Sequence, residues 1–177
     1  GLTIKYGLLQ QHESQTPEIG RQMTGNGYVT NYHDQGQGDP VLLIHGSGPG
    51  VSAWANWRLT IPELSTYARV IAPDMVGFGY TTTPADVPYE LNTWVSQLLS
   101  LLDKLKLESV SVVGNSFGGS IALALATRYP ERVRQIVLMG AVGISFRLTE
   151  GLDKVWGYEP SPAAMRKLLE IFAFNQE

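Results

Sequence analysis

Short apolar runs alternate with longer amphipathic stretches along this chain, which is the pattern of strands that alternate with helices. The run Val41–Ile44 is too short for a helix and is typical of a strand covered on both faces. Across 94–105, apolar side chains recur every three or four positions, which predicts an amphipathic helix with Asn92 or Thr93 as its N-cap. The predicted strands cover residues 27–33, 41–44, 70–74, 109–113 and 133–139, and the predicted helices cover 52–64 (interrupted near Pro62), 94–105, 121–129 and the stretch from Ser161 to the end.

This alternation predicts an α/β protein, because apolar strands separated by helices pair in parallel through right-handed crossovers. We expect about six strands in a mostly parallel sheet with flanking helices. Residues 1–16 do not fit the pattern and are interpreted as a tag, a leader or a loose arm. Residues 17–140 are expected to form the core, and the chain becomes looser over 141–177.

Composition narrows the classes of function. The 177 residues are 44% apolar and 16% charged, with a formal charge of −3. Such a chain lacks the clustered positive surface that nucleic acids and anionic membranes require, so neither is expected as a partner. The absence of cysteine excludes disulfides, thiolate metal sites and a cysteine nucleophile. We expect a soluble, acidic, cytoplasmic protein.

The strongest candidate for chemistry is the segment GNSFGG at residues 114–119, between a predicted strand and a predicted helix. A nucleophile on a sharp strand-to-helix turn needs neighbours almost without side chains, and Gly114 and Gly118 provide them. This turn would present the Ser116 hydroxyl above the carboxyl ends of the strands, beside the positive end of the helix dipole. The alternative interpretation is that Ser116 only caps the helix, which is a common role for serine.

A second glycine-rich segment, HGSGPG at residues 45–50, follows a buried strand. It lacks the lysine of a phosphate-binding loop, and a dinucleotide-binding pattern fails at Ala53. The segment fits an oxyanion hole better, because acyl transfer needs one N–H donor after the nucleophile and one from an earlier loop. This assigns the backbone N–H groups of Phe117 and Ser47.

Four further polar residues border the same predicted pocket. His45 is interpreted as structural, with its ring packed beneath the loop and bonded locally, rather than as catalytic. Asp74, at a strand end before a glycine turn, is interpreted mainly as a local backbone acceptor. Asn56 and Asn115 are suited to hold a polar substrate, but ordinary helix or turn roles fit them equally well.

A recognisable signature is formed by the stretches HGSGPGVSAWANWRLTIPELS, RVIAPDMVGFGYT, VVGNSFGG and RYPERVRQIVLMGAVG. Together they resemble the α/β-hydrolase superfamily. More narrowly, they resemble the carbon–carbon bond hydrolases that cleave ring-fission products in bacterial aromatic catabolism. The similar branch acts on 2-hydroxymuconate semialdehyde and alkylated 2-hydroxy-6-oxo-2,4-dienoates. The resemblance covers about residues 18–175.

The resemblance implies roles for the matching positions. Ser116 would be the catalytic serine, and Ser47 and Phe117 would form the oxyanion hole. The positions that would contact the dienoate are Gly46, Ser47, Asn56 and Asn115. In that family the dienol is first ketonised, serine or an activated water attacks the 6-oxo carbonyl, and the C5–C6 bond breaks. The products are 2-hydroxypenta-2,4-dienoate and a small acid.

The resemblance also implies that no metal or organic cofactor takes part, that the partner is a small dienoate, and that the protein is a homo-oligomer. Residues 141–177 resemble the start of a helical lid.

The three histidines, at positions 12, 33 and 45, all precede Ser116, whereas the family order is serine, then acid, then histidine. Asp153, in the lid-like segment, is the sole aspartate after Ser116.

We therefore expect that the chain is the N-terminal two-thirds of a hydrolase, with the remainder absent from this sequence or supplied by a second chain. Little hydrolysis is expected from these residues alone. A carboxylesterase, peptidase or perhydrolase on the same fold is an alternative, because fold does not fix the substrate. A binding protein that keeps the pocket without the base is another. A dehalogenase is disfavoured because its chemistry needs a carboxylate at Ser116, and a nucleotide-binding domain lacks its phosphate motif.

Overall fold

The computed structural model describes residues 17–143, 145, 147, 149–157, 159 and 161–172, which fall into two compact units divided after Gly143. The predicted arm over 1–16 lies outside the described residues. In the first unit the strands are β1 (Arg21–Gly25), β2 (Tyr28–Gln35), β3 (Pro40–Ile44), β4 (Arg69–Pro73), β5 (Val110–Asn115) and β6 (Val133–Met139). The helices there are α1 (Ala53–Trp57), α2 (Thr60–Leu64), α3 (Leu91–Lys104), α4 (Phe117–Arg128) and a 3₁₀ turn over Pro130–Arg132.

The described strands form one sheet in the order β1-β2-β4-β3-β5-β6. The pairs β4–β3, β3–β5 and β5–β6 are parallel, whereas β1–β2 and β2–β4 are antiparallel. This confirms the predicted α/β class with a mostly parallel sheet of six strands. The carboxyl ends of β3, β4 and β5 meet at one edge of the sheet, where the loops that follow them lie together.

The strand β1 was not among the predicted strands. It pairs with β2 through the tight turn at Asn26 and Gly27, whose φ angles are 51° and 83°. Positive φ at both central residues is the requirement of a type I′ hairpin turn, and Asn-Gly is its preferred sequence. The dipeptide was therefore a signal for this strand, although the residues RQMTG themselves show little apolar alternation.

Side chains alternate across the central strands and build two cores. Leu42 and Ile44 of β3 face one core with α3 and α4, and Leu43 faces the other core with α1 and α2. All three are fully buried. Helices therefore cover both faces of the central strands, as their continuous apolar sequence predicted. The edge strand β6 pairs with β5 alone among the described strands, and its Val137 and Met139 side chains are exposed.

Three predicted helices have wrong bounds. The helix predicted over 121–129 is α4, which begins at Phe117 and ends at Arg128. The predicted helix over 52–64 is two short helices, and the break falls at Arg58 and Leu59 rather than at Pro62. Pro62 lies in the first turn of α2, where its missing N–H breaks no hydrogen bond within the helix. The helix predicted over 94–105 begins at Leu91 with Glu90 as its N-cap residue, so neither Asn92 nor Thr93 caps it.

The second unit contains α5 (Glu150–Trp156) and α6 (Pro162–Phe172). The start of α6 agrees with the prediction, because the Ser161 hydroxyl accepts a hydrogen bond from the N–H of Ala164. The helix α5 was not predicted. No helix in the described ranges combines the length and the apolar character needed to cross a lipid bilayer.

A buried carboxylate fastens the loops at the carboxyl ends of the strands. Asp74 follows β4 and is fully buried. Its Oδ1 accepts a hydrogen bond from the Ala53 N–H at 2.6 Å, and its Oδ2 accepts from Asn31 Nδ2 and the Tyr80 N–H, both at 2.8 Å. These contacts join the start of α1, strand β2 and the 77–80 turn. They agree with the interpretation of Asp74 as a structural acceptor.

We expect Asp74→Ala to lower the free energy of unfolding by at least about 3 kcal/mol, because three donors lose their acceptor and two of them are fully buried. Asp74→Asn should also destabilise, since its amide NH₂ must face a donor. The control is Asp86→Ala, at an exposed position, which should change stability by less than about 0.5 kcal/mol. Urea denaturation measures all three, and equal stability of Asp74→Ala and wild type would contradict this role.

Candidate active site

Ser116 lies alone between a strand and a helix. The strand β5 ends at Asn115 and α4 begins at Phe117, so one residue reverses the chain. Its φ of 51° and ψ of −113° are strained for a residue with a side chain. The Ser116 side chain makes no capping hydrogen bond to α4. The alternative that this serine only caps the helix therefore has no contact to support it, and the hydroxyl is left for another use.

The glycines around Ser116 are required by close backbone contacts. A Cβ at Gly114 would overlap the Gly118 carbonyl oxygen, and a Cβ at Gly118 would overlap the Ile44 carbonyl oxygen and lie 2.6 Å from that of His45. A Cβ at Gly119 would overlap the side chain of Ala141. The first turn of α4 thus packs directly on the end of β3, as the sequence GNSFGG predicted for a sharp turn.

The loop that follows β3 lies against the serine. An ideal Cβ on Gly46 would stand 3.6 Å from the Ser116 Cβ. The N–H groups of Ser47, on this loop, and Phe117, at the first position of α4, make no hydrogen bond to any residue that the structure describes. The first N–H groups of a helix have no partner within it, so they remain able to bind a negative oxygen.

Asn56 and Asn115 contact each other, and part of their hydrogen bonding serves the protein itself. Asn56 Oδ1 accepts from the Gly46 N–H at 2.9 Å and from Asn115 Nδ2 at 3.0 Å. Both side chains are only partly buried. Because Asn56 Oδ1 already accepts two hydrogen bonds, the part of this side chain that can bind a substrate is its NH₂ group, which donates.

His45 is fully buried beneath the loop. Its Nε2 accepts a hydrogen bond from the Met75 N–H at 2.9 Å, and its Nδ1 lies 2.6 Å from the Gly46 carbonyl oxygen. Burial lowers the pKa of His45 below its ordinary 6.5, against the opposing effects of the Gly46 carbonyl and the Asp74 charge. These contacts agree with the structural interpretation of this histidine.

His33 lies on strand β2, which β4 and β3 separate from β5 in the sheet. It stacks on Trp54 with ring centroids 5.4 Å apart, and its Nε2 is buried without a hydrogen-bond partner. Burial lowers the pKa of His33 below 6.5, opposed chiefly by the Asp74 charge. Neither of these histidines hydrogen-bonds the Ser116 hydroxyl within the part of the chain that the structure describes.

Sequence reasoning missed Gln97, which is almost fully buried in α3. Its Oε1 accepts from the Val76 N–H at 2.8 Å, and its Nε2 donates to the Asp74 carbonyl at 3.0 Å and to Thr30 Oγ1 at 3.1 Å. The signal was a polar residue inside the apolar stripe of a predicted amphipathic helix. Gln97 fixes the segment after β4, on which the site loops rest.

Sequence reasoning also missed Phe78. Its ring packs at 5.2 Å from the His45 ring and at 5.5 Å from the Phe117 ring, and Phe117 meets Trp94 edge-on at 4.7 Å. This aromatic cluster joins the glycine-rich loop to the start of α4. Among the described residues, no three histidine, aspartate, glutamate or cysteine side chains gather into a metal site. The chemistry that these residues support is nucleophilic attack with backbone stabilisation of an oxyanion.

The free energy of unfolding should fall as the pH is lowered from about 7.5 to about 5.5. His33 and His45 have lowered pKa values in the folded state, so the unfolded chain binds more protons near 6.5. The two histidines contribute their full stabilisation above pH 6.5, and this stabilisation is lost as the pH falls toward their lowered pKa values in the folded state. Urea midpoints across the range measure the effect, and His45→Gln should reduce the slope. A level profile would contradict the burial of two neutral rings.

Gly118→Ala should destabilise the protein by more than about 3 kcal/mol, because the added Cβ meets rigid backbone carbonyls rather than a mobile side chain. The matched control is Gly27→Ala, where φ is positive but no atom lies within 4 Å of the added Cβ. That change should cost about 1–2 kcal/mol from backbone strain alone. Thermal unfolding compares the two, and equal losses would show that packing at the turn is not tight.

Comparison with known proteins agrees with this geometry. A family model described as the alpha/beta hydrolase fold matches residues 39–164. The 2-hydroxymuconate semialdehyde hydrolase of Pseudomonas sp. (strain CF600) is 61% identical over 161 residues, covering 91% of this chain and 57% of the relative. The 2-hydroxy-6-oxo-2,4-heptadienoate hydrolase of Pseudomonas putida is 59% identical over 159 residues, covering 90% of this chain and 58% of the relative.

A solved structure is similar over the same part. The meta-cleavage product hydrolase of Pseudomonas fluorescens, solved as a serine-to-alanine mutant complexed with acetates, is 57% identical with a TM-score of 0.79. The match covers 89% of this chain and 58% of that one. The chain thus spans somewhat more than half the length of the relatives it matches. The family match over residues 39–164, on a fold with a glycine-lined serine turn, shows that the chain belongs to the α/β-hydrolase fold family.

Proposed function

We propose that the protein is a serine-dependent hydrolase that cleaves a carbon–carbon bond in a 2-hydroxy-6-oxo-2,4-dienoate ring-fission product. The observation that carries the proposal is Ser116, held at a φ of 51° on a strand-to-helix turn with its hydroxyl making no cap. The names of the relatives at 61% and 59% identity support this substrate class, since both are hydrolases of such compounds.

In this proposal the Ser47 and Phe117 N–H groups bind the oxygen of the 6-oxo carbonyl as it becomes negative. They suit that task because no described residue accepts their hydrogen bonds. The loop that carries Ser47 is also close to the serine, since a Cβ built on Gly46 would lie 3.6 Å from the Ser116 Cβ. A preorganised pair of donors stabilises charge without rearranging during the reaction. The NH₂ group of Asn56 and the side chain of Asn115 border the same space and would hold polar atoms of the dienoate.

The bond changes follow from the substrate. Ketonisation of the dienol makes C5 a saturated carbon next to an enone, so that C5 can later accept an electron pair. The Ser116 hydroxyl, or a water that it orients, adds to C6, and the C5–C6 electron pair passes to C5 and into the conjugated system. Water supplies the hydroxyl of the small acid and the proton of 2-hydroxypenta-2,4-dienoate. No metal or organic cofactor enters this scheme.

The reaction also needs a base, since a serine hydroxyl is a weak nucleophile near neutral pH. His45 is committed to Met75 and Gly46, and His33 lies on β2 against Trp54. We therefore propose that the base and its acid partner come from residues other than these, in a further segment or in a second chain. The helices α5 and α6 would belong to a lid that governs the size of the released acid.

Ser116→Ala should lower kcat for a 2-hydroxy-6-oxo-2,4-dienoate by more than about a thousandfold, because the nucleophile is lost. The control is Ser65→Ala, a partly buried serine whose hydroxyl donates to the Pro62 carbonyl, which should keep wild-type kcat. Loss of the dienoate absorbance measures hydrolysis by the complete protein, with methyl, isopropyl and phenyl ends compared.

Three results of that assay separate the candidates. Cleavage of dienoates but not of simple esters supports the proposal, and cleavage of esters alone indicates a carboxylesterase. If no substrate is cleaved and a fluorophosphonate probe does not label Ser116, the serine is not activated and a binding role is correct.

A further inference from the structure

The ring of His45 has its proton on a known nitrogen, because its partners determine the tautomer. The Met75 N–H can only donate, so His45 Nε2, 2.9 Å away, accepts. The Gly46 carbonyl can only accept, so His45 Nδ1, 2.6 Å away, carries the hydrogen. The ring is therefore neutral, with one nitrogen anchored to the segment after β4 and the other to the glycine-rich loop.

The bond to Gly46 fixes the direction of a neighbouring N–H group. The carbonyl of Gly46 and the N–H of Ser47 belong to one peptide group, which is planar and trans, so they point in opposite directions. Holding the carbonyl toward the buried ring of His45 holds the Ser47 N–H away from it. The peptide group before Gly46 is also fixed, because its N–H donates to Asn56 Oδ1 at 2.9 Å.

The His45 ring is also linked to Phe117, the residue after Ser116, because Phe78 packs against both rings. Phe78 packs at 5.2 Å from the His45 ring and at 5.5 Å from the ring of Phe117, whose N–H is the second free donor. The backbone segment after β4 is fixed in place, because the Val76 N–H donates to Gln97 Oε1 and the Val76 carbonyl accepts from Trp94 Nε1 of α3. His45 thus lies between a fixed backbone segment and the loop that approaches Ser116.

We propose that His45 is a positioning residue of the oxyanion hole, which aims the Ser47 N–H through a relay from the Met75 N–H to the ring and from the ring to the Gly46 carbonyl. The inference rests on the proposed function, since that function assigns the Ser47 N–H to the oxyanion. His45 touches no substrate in this scheme and transfers no proton.

Two variants test the two hydrogen bonds of the His45 ring separately. In His45→Gln, the amide group reaches the place of Nε2 and accepts from Met75, but no donor remains for Gly46. In His45→Asn, the amide NH₂ takes the place of Nδ1 and donates to Gly46, while the Met75 N–H loses its acceptor. Leu102→Ala, in the core formed with α3, provides a control that lowers stability without touching the loop.

We expect His45→Gln to lower kcat for the dienoate by about 10²–10³-fold with KM almost unchanged, which is the effect of losing one oxyanion donor. His45→Asn should lower Tm yet recover most of that kcat, and Leu102→Ala should lower Tm and keep kcat. A kcat that simply follows Tm across the three variants would overturn the proposal, as would wild-type kcat in His45→Gln.

Two measurements that do not depend on catalytic activity test the role of His45 independently of the proposed function. ¹⁵N NMR of histidine-labelled protein should show His45 neutral with its proton on Nδ1, and a proton on Nε2 would overturn the relay. A crystal structure of His45→Gln should show the Gly46–Ser47 peptide rotated, and an unchanged peptide would overturn it. If wild type cleaves no dienoate, the proposed function fails while these two results still decide the role of His45.

Discussion

The first turn of α4 rests on the end of β3 with no side chain between them, and the geometry of the whole site depends on this contact. A Cβ on Gly118 would overlap the carbonyl oxygen of Ile44, so the helix comes this close only because residue 118 has none. The chain must then reverse within one residue, which forces Ser116 to a φ of 51°. Such strain costs about 1–3 kcal/mol. Burial of Ile121 and Leu125 in the core beneath α4 offsets it, at about 1.5–3 kcal/mol for each side chain.

A second constraint acts where β4 ends, because the backbone leaves the sheet while still buried. Residues 74–76 keep few sheet partners, and side chains take over their hydrogen bonds. His45 accepts from Met75, while Gln97 accepts from Val76 and Trp94 Nε1 donates to the Val76 carbonyl. Unpaired backbone groups at this depth would each cost about 1–3 kcal/mol, so these polar residues are required by the fold itself. The loops of the site therefore rest on a hydrogen-bonded support, which is what the proposed oxyanion hole would need.

How far the sequence predicts this structure depends on the range of the interactions. The strand β3 and the turn at Ser116 were predictable because the apolar run and the glycine spacing act within a few residues. The hairpin of β1 was also local, through Asn26–Gly27, but its signal is a turn rather than an apolar pattern. The role of Gln97 was not predictable, because it bonds to Thr30, which lies 67 positions away. Likewise, the orientation of Asn56 became evident only when the fold brought Gly46 and Asn115 to it.

In the proposed function, the described residues supply one part of the chemistry of a serine hydrolase and not the base. The proposed nucleophile and the two N–H donors proposed for the oxyanion come from one packed junction of β3, β5 and α4, so in this proposal the electrostatic part of catalysis is built with the core. An oxyanion hole with substrate binding accelerates acyl transfer by roughly 10³–10⁴-fold over water even when the catalytic triad is removed. The proposed base would add the remaining rate acceleration, and its position need not depend on the backbone contacts between β3, β5 and α4. In the proposed enzyme the charge-stabilising geometry would therefore stay fixed, while the segments proposed to carry the base and to cover the pocket would differ and set the substrate preference.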